Sequence, residues 1–128
     1  MKSYHFVGVG RISAEVEEGA DHPAKLAATI TELIGASGMQ VVAEYTSGFD
    51  RGGKTLVWIL AESHLVLHVW RDEEFATLDL HVCDYTKTNA DKARHLRGTL
   101  SALCFADLTG RWNELEVPYP EKAPSSGT

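Results

Sequence analysis

The sequence predicts an α+β fold: a two-layer sandwich in which a mainly antiparallel sheet carries two helices packed on one face. The first observation behind this prediction is the order of the elements, strand–helix–strand–strand–strand–helix–strand. The second is periodicity, because some segments alternate apolar and polar residues while two longer ones repeat apolar residues at helical spacing. We expect one domain over residues 1–120, followed by a disordered tail over 121–128.

Capping residues and glycines delimit the elements of the first half. A strand over 4–11 precedes a helix within 20–38, in which Asp21 or His22 can cap the start and Pro23 suits the first turn. The apolar stripe of this helix consists of Leu26, Ile30, Leu33 and Ile34. Gly35 and Gly38 end the helix, and a strand over 39–46 and a glycine-rich loop over 47–54 follow.

The second half contains three consecutive strands, a helix and a last strand. The predicted elements are strands at 55–61 and about 62–70, a turn at 71–74, a strand at 75–83, a helix at 86–104 and a strand within 111–120. Ala93, Leu96, Leu100 and Leu103 form the apolar face of the second helix. With both helices on one face, the other face of the sheet needs cover. A second copy of the chain can supply it, and we expect a homodimer.

Composition narrows the class of protein. The 128 residues are 44% hydrophobic and 23% charged, as in soluble globular proteins, and the net charge is -6. This acidity argues against nucleic-acid and anionic-membrane partners. The N-terminus has no signal-peptide h-region and no apolar run approaches a bilayer span. The two cysteines, Cys83 and Cys104, make no disulfide framework. We therefore expect a cytoplasmic enzyme or binding domain.

Residues 48–55, "GFDRGGKT", match the phosphate-binding P-loop pattern G-x-x-x-x-G-K-[ST]. That site needs a helix N-terminus behind the loop. Here the loop is followed by "TLVWILA", which is β-branched and aromatic and predicts a strand. We interpret the segment as a hairpin loop.

Residues 60–70, "LAESHLVLHVW", place an acid, a hydroxyl and two imidazoles on a strand rich in Leu and Val. If 71–74 is the turn, paired positions sum to 145. His64 then faces His81, His68 faces Thr77, and Cys83 falls opposite Glu62. Leu65, Leu67 and Val69 point towards the helices. The opposite surface then holds the polar set His64, His68, His81, Asp79 and Cys83.

Three interpretations of this polar surface remain open from the residues alone. It can be an ordinary polar sheet face with incidental histidines. It can be a zinc site, although His64 and His68 lie about 13 Å apart by strand rise. It can also support nucleophilic chemistry, with Ser63 as the nucleophile, a histidine as the base and Cys83 as the acid.

The same residues resemble the core of the prokaryotic S-adenosylmethionine decarboxylase proenzymes. That family reads roughly A-E-S-H-x-x-x-H-T-W-P-E, then Y-A-A-V-D-x-x-x-C-G. The matching positions are Ala61, Glu62, Ser63, His64, His68, Trp70, Phe75, Ala76, Asp79 and Cys83. The specific signal lies within residues 49–83.

The resemblance implies a pyruvoyl-dependent decarboxylase of polyamine biosynthesis that cleaves itself between Glu62 and Ser63. It implies that Ser63 becomes a pyruvoyl group, which forms a Schiff base with the substrate amine and draws off the electrons released with carbon dioxide. His68 matches the family's processing base, and Thr55 stands where a hydroxyl residue assists processing. Cys83 matches the residue that reprotonates the substrate carbon. No metal is implied.

Departures from the family pattern concern the substrate. Where the family has W-P-E-Y-G-Y, this chain has "WRDEEF" at 70–75, so that Asp72 stands for the glutamate that holds the ribose. Phe49 and Trp70 are retained and can sandwich an adenine. The resemblance therefore favours S-adenosylmethionine, converted to S-adenosylmethioninamine. Because some members decarboxylate L-ornithine or L-arginine, and extra carboxylates suit a basic side chain, that alternative stays open. A non-catalytic zinc-binding domain is a further alternative.

Overall fold

The computed structural model describes residues 2–84 and 88–120. In these residues the strands are β1 (Lys2–Arg11), β2 (Val41–Phe49), β3 (Gly53–Leu60), β4 (Ser63–Trp70), β5 (Phe75–Cys83) and β6 (Arg111–Pro118). The α-helices are α1 (Ala14–Asp21), α2 (Pro23–Ala36) and α3 (Ala90–Cys104). The predicted tail over 121–128 lies outside the described residues. Of the predicted helix over 86–104, residues 86 and 87 also lie outside them, and α3 begins at Ala90.

The described strands form one six-stranded sheet in the order β2-β3-β4-β5-β1-β6. Every neighbouring pair in it is antiparallel. The strand β1 lies inside the sheet, next to the edge strand β6, because it pairs with both β5 and β6. The predicted α+β class is therefore confirmed, with the sheet antiparallel throughout its described pairs.

The helices cover one face of the sheet, and the hydrophobic core lies between the helices and the sheet. Alternate residues of the central strands, among them Leu65, Leu67 and Leu78, are completely buried. From α2 and α3, Ile30 and Leu96 complete this layer. We call this side the helix face and the opposite side of the sheet the open face. Strand alternation thus separates an apolar layer from the polar side chains that the sequence singled out.

The helix α1 was not predicted from the sequence. It starts where the Ser13 hydroxyl accepts a hydrogen bond from the Val16 amide at 3.2 Å. It has only eight residues, so its buried positions are too few to show a helical period. The helix α2 then begins at Pro23 with His22 as its N-cap residue, as expected.

The segment that matches the P-loop pattern connects two adjacent antiparallel strands. It runs through a short 3-10 turn at Asp50–Gly52 directly into β3, and β2 pairs with β3 up to Phe49 and Gly53. No helix follows the loop, so its backbone amides gain no helix dipole. The interpretation of this segment as a hairpin is confirmed.

Candidate active site

The Glu62–Ser63 bond lies at a tight hairpin between β3 and β4. Leu60 pairs with Ser63, which leaves Ala61 and Glu62 as the two turn residues. The Glu62 carbonyl oxygen accepts a hydrogen bond from the Cys83 thiol at 3.1 Å. The thiol is free and half-buried. The sequence-derived pairing that placed Cys83 opposite Glu62 agrees with this contact.

Ser63 itself borders a cavity on the helix-face side of the turn. The cavity lies between the turn, the C-terminal end of α2 and the start of α3, and Leu60, Asn89 and Lys92 are among its lining residues. Ser63 has the same strand parity as the buried Leu65, so its side chain and the Cys83 thiol approach the Glu62–Ser63 bond from opposite sides.

A second polar cluster lies at the other end of β4 on the open face. The Thr55 hydroxyl and His68 Nδ1 are 2.9 Å apart and share a hydrogen bond. The His68 ring contacts Trp70, with ring centroids 5.2 Å apart. The sequence prediction that His68 faces Thr77 on β5 is confirmed. The hydrogen bond between Thr55 and His68 fixes the orientation of the imidazole that the resemblance assigns to processing.

The structure does not bring Ser63 and His68 together within one chain. They are five residues apart on an extended strand, which corresponds to about 17 Å at a rise of ~3.4 Å per residue. An odd separation also puts their side chains on opposite faces of the sheet. Thr55 and His68 therefore form one half of the predicted machinery, and Ser63 and Cys83 form the other.

Between these two halves, three imidazoles are in contact on the open face. His5 of β1 stacks on His81 with ring centroids 4.1 Å apart, and His64 meets the edge of His81 at 5.0 Å. Burial and the two neighbouring imidazoles lower the pKa of His81, while Asp79 opposes them. His5 was missed in the sequence because its position depends on the β1–β5 register, which no local pattern encodes.

The predicted substrate residues gather beside the β4–β5 turn. Phe49, Trp70 and Asp72 line one shallow cleft there, together with Arg51 and Glu73. The rings of Phe49 and Trp70 are tilted by 58° with centroids 5.9 Å apart. Trp70 also stacks on Phe75 at 4.9 Å. Aromatic rings and carboxylates therefore lie together at this end of the strands.

Arg71, which replaces the family's proline, lines the same cleft and forms an ion pair with Asp21. Its guanidinium donates to both carboxylate oxygens of Asp21 at 2.5 and 2.9 Å. These hydrogen bonds lower the pKa of Asp21 and raise that of Arg71. The cation is thereby paired with the α1–α2 junction, and the nearby Asp72 carboxylate contributes to the raised pKa of Arg71.

The described residues show neither a metal centre nor a membrane span. Within 2–84 and 88–120, no three His, Cys, Asp or Glu side chains are gathered closely enough to hold a metal ion. Over the same ranges no helix is long and apolar enough to cross a bilayer. The histidines of the open face form ring contacts, as His5, His64 and His81 show.

Comparison with known proteins identifies relatives of this chain by sequence and by fold. A family model described as S-adenosylmethionine decarboxylase matches residues 13–103. A Pyrococcus furiosus protein named S-adenosylmethionine decarboxylase proenzyme is 34% identical over 90 residues, 70% of this chain and 63% of that protein. A Synechococcus protein of the same name is 31% identical over 86 residues, 67% of each chain. The match thus spans slightly less than two thirds of the Pyrococcus protein.

Two further similarities bear on substrate and on fold. An Aeropyrum pernix protein named arginine decarboxylase proenzyme is 35% identical over 52 residues, 41% of this chain and 39% of that protein. The crystal structure of the adenosylmethionine decarboxylase from Aquifex aeolicus superposes with a TM-score of 0.69 at 15% identity, covering 96% of this chain and 97% of that one. This likeness extends the shared fold to β1 and β6, which lie outside the family-model match. The chain therefore belongs to the S-adenosylmethionine decarboxylase family.

Proposed function

We propose that this protein is a pyruvoyl-dependent decarboxylase of polyamine biosynthesis, which forms its own cofactor by cleaving the chain between Glu62 and Ser63. The observation that carries the proposal is the 3.1 Å hydrogen bond from the Cys83 thiol to the Glu62 carbonyl. A donor aimed at the carbonyl of the bond to be broken is what an acyl shift requires. The tight turn also leaves this peptide bond outside the regular strand ladder.

The cleavage follows from the groups around this bond. The Ser63 hydroxyl attacks the Glu62 carbonyl carbon, and the charge that develops on the carbonyl oxygen is stabilised by the Cys83 thiol. The C–N bond breaks and an ester replaces the amide. A base then removes the Ser63 α-proton, the Glu62 carboxylate leaves, and hydrolysis of the resulting dehydroalanine releases ammonia. The chain 1–62 ends at Glu62, and 63–128 begins with the pyruvoyl group.

The residues beside the bond fit a pyruvoyl group, since they offer a hydroxyl at Ser63 and a thiol at Cys83. When formed, this ketone withdraws electrons from the substrate as carbon dioxide leaves. Cys83 then supplies a proton to the substrate α-carbon and becomes a thiolate. A free thiol is required for this role, and we therefore place the protein in the reducing cytoplasm.

We further propose that the active unit is a homodimer of cleaved protomers packed through their open faces. Apolar side chains are exposed across this face, among them Val7, Val9, Tyr45, Ile59 and Leu115. Exposed apolar side chains on strands at both sides of this face favour its burial against a partner. A two-fold axis near the centre of this interface would place each end of β4 against the opposite end of the partner's β4. The partner's His68 would then lie at Ser63, where a base is needed.

For the substrate we propose S-adenosylmethionine. The tilted pair Phe49 and Trp70 offers ring faces for the adenine and for the sulfonium cation, and Asp72 beside them can accept hydrogen bonds from the ribose. The second candidate is a basic amino acid, L-arginine or L-ornithine. It is favoured by the carboxylates of the 71–74 turn and by the arginine decarboxylase proenzyme among the relatives.

The test is release of carbon dioxide from carboxyl-labelled S-adenosylmethionine, L-ornithine and L-arginine by the same purified preparation. We expect release from S-adenosylmethionine, and none from any substrate with Ser63→Ala, which cannot form the ketone. Release from ornithine or arginine alone would replace the substrate and keep the chemistry. Release by Ser63→Ala at the wild-type rate would refute the pyruvoyl mechanism.

A further inference from the structure

The β4–β5 turn, residues 71–74, carries the Asp72 carboxylate but lacks two residue types that favour its backbone shape. Where the family pattern has proline and glycine, this chain has Arg71 and Glu74. Glu74 adopts a φ of 59°, a left-handed conformation that glycine tolerates and that a residue with a side chain adopts only at a cost. Arg71 lacks the ring with which proline fixes φ. The shape of this turn therefore depends on contacts with the rest of the fold.

Backbone hydrogen bonds hold the C-terminal end of the turn. The Glu74 amide donates to the Arg71 carbonyl at 3.1 Å and closes the turn. The Ile12 amide, directly after β1, donates to the Glu74 carbonyl at 3.1 Å. These bonds anchor Glu74 to the end of β1, whereas the N-terminal half of the turn is anchored by a side chain.

That side chain is Arg71, which contacts two other segments of the chain. Its guanidinium donates to both carboxylate oxygens of Asp21, the last residue of α1, at 2.5 and 2.9 Å. Its aliphatic stem runs beside Gly52 in the β2–β3 turn, where an added Cβ would lie 3.6 Å from the arginine Cδ. Arg71 therefore links the two turns that border the substrate cleft to the helix layer.

We propose that Arg71 is a positioning residue of the substrate cleft: its ion pair with Asp21 holds the β4–β5 turn in place, so that Asp72 and Trp70 meet the substrate together with Phe49. This inference rests on the proposed binding of the substrate in this cleft. The cleft is lined by residues of the two turns and their strands, whereas Asp21 belongs to α1 and is joined to the cleft by Arg71. Substitution of Asp21 therefore tests the link without altering a lining residue.

The ion pair is suited to positioning rather than to general stabilisation of the fold. The side chains of Arg71 and Asp21 are 33% and 56% exposed, and ion pairs with this much exposure contribute little to the free energy of unfolding. Two parallel charge-assisted hydrogen bonds nevertheless fix the guanidinium in one orientation. Asp21→Asn should therefore change the geometry of the cleft and lower the Tm by less than about 4 °C.

The first measurement follows the turn itself in the uncleavable Ser63→Ala chain, where decarboxylation plays no part. Hydrogen exchange of the Glu74 amide is compared with and without Asp21→Asn, since this amide closes the turn. The Ala61 amide, which donates to the Gln40 carbonyl at 3.2 Å, is the internal reference. We expect exchange at Glu74 to become about 2- to 5-fold faster and exchange at Ala61 to stay the same.

The second measurement is steady-state kinetics of the cleaved protein on the substrate that it decarboxylates. Asp21→Asn should raise the KM by about 3- to 10-fold and leave kcat within about twofold, because the binding surface loses its alignment while the reacting groups are unchanged. Arg71→Gln should act in the same direction. The double variant should be no worse than Arg71→Gln alone, since the two residues act as one unit.

The matched control is Glu114→Gln, the same change from carboxylate to amide in an arginine ion pair. Glu114 accepts from Arg94 at 3.1 Å and joins β6 to α3, at the far edge of the sheet from Phe49. Unchanged exchange at Glu74, an unchanged KM, equal changes in Glu114→Gln, or losses that add in the double variant overturn the inference. If the protein releases carbon dioxide from no substrate, the proposed function fails, while exchange at Glu74 still decides whether the ion pair holds the turn.

Discussion

Cys83 and His68 lie at opposite ends of the open face, and each has a hydrogen-bond partner that bears on its proposed role. The Cys83 thiol donates to the carbonyl of the Glu62–Ser63 bond, and His68 is oriented by its hydrogen bond with Thr55. The two substitutions should therefore have different effects. His68→Ala should leave the precursor whole or slow its cleavage, because the α-proton of Ser63 needs a base.

Cys83→Ala should reduce turnover of the processed enzyme by roughly 10²–10⁴-fold, the usual range for loss of a general acid. Cleavage should also slow, since the Glu62 carbonyl loses its donor. Gel analysis of cleavage and initial rates on the purified processed fraction separate the two effects. Normal turnover by processed Cys83→Ala would remove Cys83 from the role of proton donor.

The histidine cluster makes the stability of the fold depend on pH. Burial and the neighbouring His5 and His64 lower the pKa of His81 below its unfolded value of about 6.5, and Asp79 only partly offsets them. A histidine whose pKa is lower in the folded state binds protons more readily when the chain is unfolded. Its contribution to the stability of the folded state is therefore fully present above about pH 6.5 and is lost as the pH falls below that value. We expect the Tm of Ser63→Ala to fall between pH 7 and pH 5, and His81→Gln to flatten this dependence. Parallel curves for the two proteins would show that His81 does not control it.

The sequence located Cys83 and Glu62 because a hairpin with a known turn fixes every cross-strand pair. Strand parity alone then separated His64, His68 and His81 from the buried leucines. His5 could not be found in this way. It reaches the site through β1, whose pairing with β5 joins segments far apart in sequence. Only the folded sheet brings it to the site.

Among the elements, the β2–β3 hairpin has a glycine, Gly53, at which an added side chain would meet the ring of Phe49, a residue that we propose binds the substrate. A Cβ on Gly53 would lie 2.1 Å from the Phe49 ring, although its φ of −66° and ψ of 154° suit alanine. Gly53→Ala should therefore displace the Phe49 ring and leave the strand intact. Loss of an aromatic contact of about 0.5–1.5 kcal/mol should raise the KM by roughly 2- to 10-fold.

Steady-state kinetics on processed Gly53→Ala measure this effect, with Gly35→Ala as the matched control. A Cβ on Gly35 in α2 meets nothing within 4 Å. Alanine there should leave the KM unchanged and slightly stabilise the helix. If Gly53→Ala had the KM of the wild type, Phe49 would have no part in substrate binding.

The elements also show where sequence patterns are informative. Period-2 alternation located β4 and β5 well, because both strands bury one face completely. The helix α1 was missed, since "AEVEEGAD" has too little apolar periodicity and depends on packing such as Gly19 against Leu26. The hairpin at 50–52 was distinguished from a phosphate loop because the residues after it favour a strand.

At the scale of the whole molecule, the separation of Ser63 from His68 predicts that cleavage occurs between protomers. Chains carrying Ser63→Ala retain His68, and chains carrying His68→Ala retain Ser63. When the two are co-expressed with different tags, the His68→Ala chain should be cleaved by the partner's His68. Expressed alone, it should stay whole. A His68→Ala chain that stays whole in the mixed dimer would contradict a site shared across the two-fold axis.

The central claim is that Ser63 becomes the N-terminal pyruvoyl group of a cleaved chain. The most direct measurement is the intact mass of the purified protein under denaturing conditions, alongside Ser63→Ala. We predict two species for the wild type, residues 1–62 with a free carboxylate at Glu62, and residues 63–128 with a blocked N-terminus whose mass fits pyruvate in place of serine. The variant should give one uncleaved mass. A wild-type chain that remains whole while it decarboxylates its substrate would contradict the account.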